Sequence, residues 1–149
     1  MTELVVGLVG VVLVTVGVLM LRRGQARSRA SLAVLEGDLA GADIRRIGMA
    51  GLVAAEGAPA APGPGALAIT GTHLRFVSGP EHQRMVVPLE QLVSASAERE
   101  AVRRGVIRLN RRPLLVVRWR GGAASDRRAV WSVADASAWA GSIAQLIGR

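Results

Sequence analysis

Residues Leu4 to Leu21, LVVGLVGVVLVTVGVLML, form an unbroken apolar run relieved only by the hydroxyl of Thr15 and by Gly7, Gly10 and Gly17. As an α-helix, its eighteen residues would reach ~27 Å at ~1.5 Å per residue, enough to cross a thin hydrocarbon core of about 30 Å with little tilt. Valine is a mediocre helix former in water. Inside lipid, however, a backbone not hydrogen-bonded within its own segment has no other partner. Thr15 is compatible with such a helix, because its hydroxyl can bond back to a carbonyl one turn earlier. The run predicts a transmembrane anchor over residues 1–23.

The flanks orient it. Glu3 is the only charge before the run, whereas Arg22, Arg23, Arg27 and Arg29 follow it with no acid until Glu36. The basic flank predicts an amino terminus outside and a carboxyl side in the cytoplasm, at the cell (inner) membrane. A cleaved secretory signal would need a basic start, a shorter apolar core and a small-x-small site, and none of these is present. Gly10 and Gly17 lie one heptad apart, but no small-xxx-small pair occurs among the glycines, so self-association of the span has little support.

Beyond the anchor and its basic flank, about 110 to 120 residues remain, enough for one compact domain and not for two. The chain has no cysteine, which excludes disulfides and thiolate metal sites. All 19 basic residues are arginine and the net charge is +8. The absence of lysine beside abundant Ala, Gly and Val points to GC-rich coding, so arginine abundance by itself says little about recognition. The sign of the charge says more: a basic domain held at the cytoplasmic leaflet is drawn to anionic headgroups at about 1 kcal/mol per arginine near the surface.

From Gly24 to Gly41 the chain turns polar and alanine-rich, with Leu32, Leu35 and Leu39 at helical spacing. Residues 24–43 are expected to be a juxtamembrane linker or a short helix continuing from the anchor. Ile44 to Ala55 reads as extended or loop, and EGAPAAPGPG over 56–65 as a long loop with little room for helix or sheet. Short β-like units follow, separated by turn chemistry at Thr70–Thr72, Ser78–Glu81 and Gly121-Gly122. They run over 67–69, 73–77, 84–89 (with Pro88 at an edge or strand end), 92–97, weakly over 106–109, then 114–119 and 128–133. Leu74 and Phe76 should face one way, and so should Met85, Val87 and Leu89; Leu115, Val117 and Trp119; and Ala129, Trp131 and Val133. Asp135 then reads as the N-cap of an amphipathic helix carrying Trp139, Ile143, Leu146 and Ile147, which must lie on the sheet. The fold class is therefore mainly β: one N-terminal transmembrane helix, and about seven antiparallel strands in a small barrel or sandwich capped by a C-terminal α-helix.

Three stretches carry a resemblance: GALAITGTHLRFVS (65–78), MVVPLEQLVSAS (85–96), and the late pair RPLLVVRW and AVWSVADASAWAGSI. Residues 65–147 resemble the bacterial PH-like (GRAM-related) domains, and the anchored single-span layout looks like actinobacterial membrane proteins. Trp139 falls where many PH domains carry the tryptophan of the capping helix. The resemblance implies two near-orthogonal antiparallel sheets with that helix plugging one end, here as a cytoplasmic domain over 44–149. Phosphoinositide-binding PH domains read the headgroup with basic residues between the first two strands. The corresponding EGAPAAPGPG has no base, so specific inositol-phosphate recognition is not expected.

No catalytic constellation is visible. His73 and His82 lack a third ligand apart from Glu81, and no nucleophile elbow, P-loop or dinucleotide fingerprint occurs. The sparse carboxylates read as solvated ion pairs and caps. No catalytic residue, cofactor or metal is expected, and the chain is read as a non-enzyme. The outstanding charge feature is the stretch from Arg99 to Arg120, with eight arginines against Glu100 alone, a balance of +7. It reads either as a lobe binding anionic lipid or as a solvated face. Nucleic acid is disfavoured, because only Trp119 lies in the run and its strand parity makes it core. Candidate contacts to anionic lipid or a partner are Arg22, Arg23, Arg103, Arg104, Arg108, Arg111 and Arg112. The expected role is a single-pass, membrane-anchored binding or scaffolding module that docks a membrane-protein partner, anionic lipid or both at the cytoplasmic face. The alternative is an accessory subunit of a larger membrane complex, recognised through its span.

Overall fold

The computed structural model describes residues 2–57, 60–79, 81–99, 112–122 and 126–147, with only the backbone for 2–15. A helix, α1 (Thr2–Asp38), is followed by seven strands and a second helix. The strands are β1 (Ile44–Glu56), β2 (Gly63–Thr70), β3 (His73–Ser78), β4 (Gln83–Pro88), β5 (Leu92–Glu98), β6 (Leu114–Arg120) and β7 (Asp126–Val133), and the closing helix is α2 (Ala136–Ile147). The apolar run therefore lies in a longer helix of 37 residues, about 55 Å at ~1.5 Å per residue. Residues 24–38 belong to that helix, so of the two expectations for this stretch the helical one applies. Among the described residues no helix is long and apolar enough to cross a membrane; most of the expected span, residues 4–15, is described as helical backbone alone.

All seven strands are antiparallel in one open sheet of order β4-β3-β2-β1-β7-β6-β5. The two separate sheets implied by the resemblance are thus one sheet here, and β1 explains the continuity. Its first part pairs with β2 through Ile44↔Thr70 to Leu52↔Gly63, and its last part pairs with β7 through Ala50↔Val133 to Glu56↔Arg128. Between Leu52 and Ala54 the register with β7 shifts, a bulge that bends the strand and increases its twist. The sheet is strongly curved in consequence. Phe76 on β3 and Trp131 on β7 sit three strand positions apart, about 14 Å on a flat sheet at ~4.8 Å per step. Their ring centroids nevertheless lie 5.9 Å apart, edge to face.

The concave face carries the main core. Leu67, Ile69, Leu74, Phe76, Met85, Val87, Leu115, Val117, Trp119, Ala129 and Trp131 pack there with Trp139 and Ile143 of α2. The strand parities expected for β3, β4, β6 and β7 match this grouping, and Leu146 and Ile147 are half-buried against it. Gly65 has no room for a side chain: a Cβ there would collide with the Val77 carbonyl and come within 2.9 Å of the Phe76 ring. Asp135 caps α2 as expected, its Oδ1 accepting the Ala138 amide at 2.9 Å, which satisfies a first-turn donor that the helix itself cannot.

The expected loop over 56–65 is shorter than its composition suggested, because β2 already begins at Gly63. Pro64 is tolerated there for a local reason. It pairs with Gly51 of β1, but the β3 ladder starts only at Gly65↔Ser78, so on the β3 side Pro64 has no ladder bond to lose. Pro88 lies at the end of β4, which is an edge strand. The weak strand expected over 106–109 lies outside the described residues; β1 makes up the seven.

Candidate functional site

On the convex face of the sheet, α1 covers β1, β2 and β3. Its residues Leu35 and Leu39 are buried with Ala66, Ala68 and Val77, and Leu32, Val34 and Ile47 pack at the margin. Alanines on β2 let the helix approach closely, and burying each leucine stabilises the docking by ~1.5–3 kcal/mol. Gly41, at φ +82°, turns the chain out of the helix in the left-handed conformation that glycine adopts without steric cost. The last turn is tied to the edge strand by an ion pair: Arg84 donates from Nε to Asp38 Oδ2 at 2.8 Å and from NH2 to Oδ1 at 3.3 Å. That hydrogen bond holds the Asp38 carboxyl below its usual value; desolvation opposes it, and the charges of Arg84, Arg75 and His82 add to the lowering.

Followed back toward its amino terminus, α1 crosses the sheet from β4 toward β7. There it opens a groove of about 670 Å³ against the convex face. One wall is Met20, Leu21, Gly24, Gln25 and Ser28 of the helix. The other is Met49, Ala50 and Gly51 of β1, with Pro64, Ser132, Val133 and Ala134. Arg112, which precedes β6, is the one charged residue among its described lining residues. The groove is apolar and open: Met20, Leu21 and Met49 are 70%, 71% and 47% exposed. Met20 and Leu21 are also the last two residues of the apolar run.

Of the sequence-predicted contacts, Arg22 and Arg23 are exposed on the turn of α1 between Leu21 and Gly24 but do not line the groove, because helical phase turns them away from the wall that Met20, Leu21, Gly24, Gln25 and Ser28 form; Arg112 is exposed at its rim. The structure brings Arg112 to the groove, and neither Arg22 nor Arg23. Arg103, Arg104, Arg108 and Arg111 lie outside the described residues. The connection that holds them does join a hairpin, since Glu98 of β5 pairs with Leu114 of β6. A smaller hollow behind Arg112 includes Asp135, whose carboxylate already caps α2.

Sequence reasoning missed the groove because it depends on two non-local facts, the docking of α1 and the pairing of β1 with β7. The one local signal was Met49, an outward methionine between Gly48 and Gly51. The histidines stand apart from it. His73 is half-buried on β3, with Nδ1 2.8 Å from Thr72 Oγ1, and His82 sits in the β3–β4 turn at φ +47°. No group of three or more potential metal ligands occurs among the described residues. No protein-family model matches the chain, and no curated protein matches it.

Proposed function

We propose that the chain is a single-pass, membrane-anchored, non-catalytic binding module of PH-like type, whose sheet is held rigidly at the cytoplasmic surface to dock a membrane-protein partner. The observation that carries this reading is the continuity of α1. One helix runs from the apolar stretch, through Arg22, Arg23, Arg27 and Arg29, to Leu35 and Leu39 on the sheet. A domain on a flexible tether would explore a volume, whereas one on a packed helix presents one face at one height.

The PH-like part is supported by two antiparallel meanders, β1–β4 and β5–β7, joined through the pairing of β1 with β7, by the bend in β1 that turns four strands over onto three, and by the terminal helix laid on the concave face. Trp139 is buried in that helix, with the Arg46 guanidinium 5.1 Å from its ring centroid. The orientation is supported by the arginines that follow the apolar run.

Because the chain has no cysteine, a single Glu90→Cys substitution at an exposed turn gives a clean topology probe. A membrane-impermeant maleimide should label it in lysed cells and leave it unlabelled in intact ones, with the protein remaining in the membrane after alkaline carbonate. Labelling in intact cells, or release by carbonate, would overturn the reading.

A further inference from the structure

Going beyond the membrane reading and independent of it, we propose that the open edge of β5 pairs antiparallel with β5 of a second copy of this chain, with the two-fold axis at Ala95. The two edges of the sheet differ. At β4, the Leu89 amide donates to the Thr72 carbonyl at 2.9 Å, which continues the β3 ladder and turns Met85 and Val87 toward β3. The outward amides are then those of Arg84 and Val86, because the next outward position is Pro88, which has none. Proline at that position blunts the edge. β5 has no such guard: its seven residues, Leu92–Glu98, hold no proline, lysine or arginine, and the strand order ends there. Among the described residues, no backbone hydrogen bond outside the β6 ladder reaches it. Ala95, Ser96 and Ala97 are half-buried, whereas Val116 and Val117 beside them on β6 are fully buried.

An unpaired edge can accept any extended segment; the side chains along this one favour a second copy. Residues directly opposite each other in an antiparallel pair share a face. On β5, Leu92, Ala95 and Ala97 face the core, and Val93 is the extra residue where the register shifts between Leu92 and Ser94. A two-fold axis at Ala95 puts Ser94 opposite Ser96 of the second copy and, stepping over Val93, Leu92 opposite its Ala97. Every pair then keeps to one face, and the small side chains let the strands approach. Two positions further on, Glu90 comes level with Arg99 of the second copy. Both are exposed, and neither has an ion-pair partner among the described residues. Symmetry forms that ion pair twice, once at each end of the paired strands. One added strand and two exposed ion pairs make a small interface, so the dimer is weak and concentration-dependent.

The test uses the full chain in detergent micelles. Because the chain has no cysteine, Ser94→Cys and Ser96→Cys proteins carrying different affinity tags can cross-link only through the introduced thiols. Oxidised as a mixture, they should give about fivefold more disulfide dimer than either oxidised alone, because only the mixed pair stands directly opposite within disulfide reach. Sedimentation equilibrium of the cysteine-free chain should show a monomer–dimer equilibrium. Arg99→Glu should weaken that dimer about tenfold, since two attractions become two repulsions, and Glu90→Arg combined with Arg99→Glu should restore it. None of these exposed changes should move the thermal unfolding midpoint.

Equal yields from the mixture and the single proteins, or a dimer indifferent to Arg99→Glu, overturns the proposal. So does a loss that the paired charge reversal fails to restore. A chain that stays monomeric at every concentration overturns it as well, and would leave the β5 edge to an extended segment of another protein.

Discussion

Phe76 and Trp131 are the residues through which the two halves of the curved sheet touch, and both are fully buried. Truncating Phe76 to alanine removes that contact and leaves a cavity that stiff strands cannot fill. The expected loss is ~3–5 kcal/mol by chemical denaturation in detergent. Trp131→Phe should cost less than half as much. The indole Nε1–H is buried without a hydrogen-bond partner among the described residues, and such a donor carries a penalty of about 1–3 kcal/mol that the substitution relieves. An equal loss for the two variants would mean that the indole is held by a bond rather than by packing alone. The inward parity of both residues was legible in the sequence, because alternation along a strand is a local property. Their meeting was not, because it requires the bend in β1, and neither glycine nor proline marks the bulge beside Val53.

At the scale of elements, the docking of α1 was only half legible. Leu32, Leu35 and Leu39 announce an amphipathic turn, but nothing near them says which strands they cover. The partner surface, Ala66, Ala68 and Val77, is the outward face of strands whose inward face dominates the hydrophobic pattern. The Asp38–Arg84 ion pair spans 46 positions and was likewise invisible. It makes a pH-dependent contribution whose sign follows from the lowered pKa of Asp38. A carboxylate held below its usual value in the folded state stabilises the docked helix end above that usual value, 3.8, and loses the effect as pH falls through the folded value. Both side chains are exposed, so the contribution is modest and salt-screened. Asp38→Asn should therefore speed amide exchange over residues 35–42 at neutral pH and low salt. The difference from the parent protein should fade in high salt, and fade again once the pH is low enough to protonate Asp38 in the parent. A difference that persisted at acid pH would assign the effect to helix propensity instead of the ion pair.

For the whole molecule, the consequential feature is that one helix serves two layers: its first half is the apolar run and its second half covers the sheet. The sequence announced each half separately, through unbroken hydropathy and through leucines at helical spacing. The polar, alanine-rich stretch between them left linker and helix equally open, because alanine and arginine support a helix without specifying what it packs on. If that stretch is a rigid strut, the sheet keeps a fixed distance from the apolar run. Spin labels at Val18→Cys on the helix and Glu90→Cys on the turn between β4 and β5 should then give a single narrow distance distribution in nanodiscs. Gly24→Pro lies between the two halves. It removes the amide that bonds to the Met20 carbonyl and costs a helix interior about 3 kcal/mol. The distribution should broaden and shift in that variant, while Leu35, Leu39 and the Asp38–Arg84 pair keep the second half of the helix on the sheet and preserve the unfolding midpoint. A parent distribution already as broad as that of the proline variant would mean that the strut bends on its own. The groove would then open and close with it, because its helix wall of Met20, Leu21 and Gly24 would keep no fixed distance from Met49 and Arg112 across it.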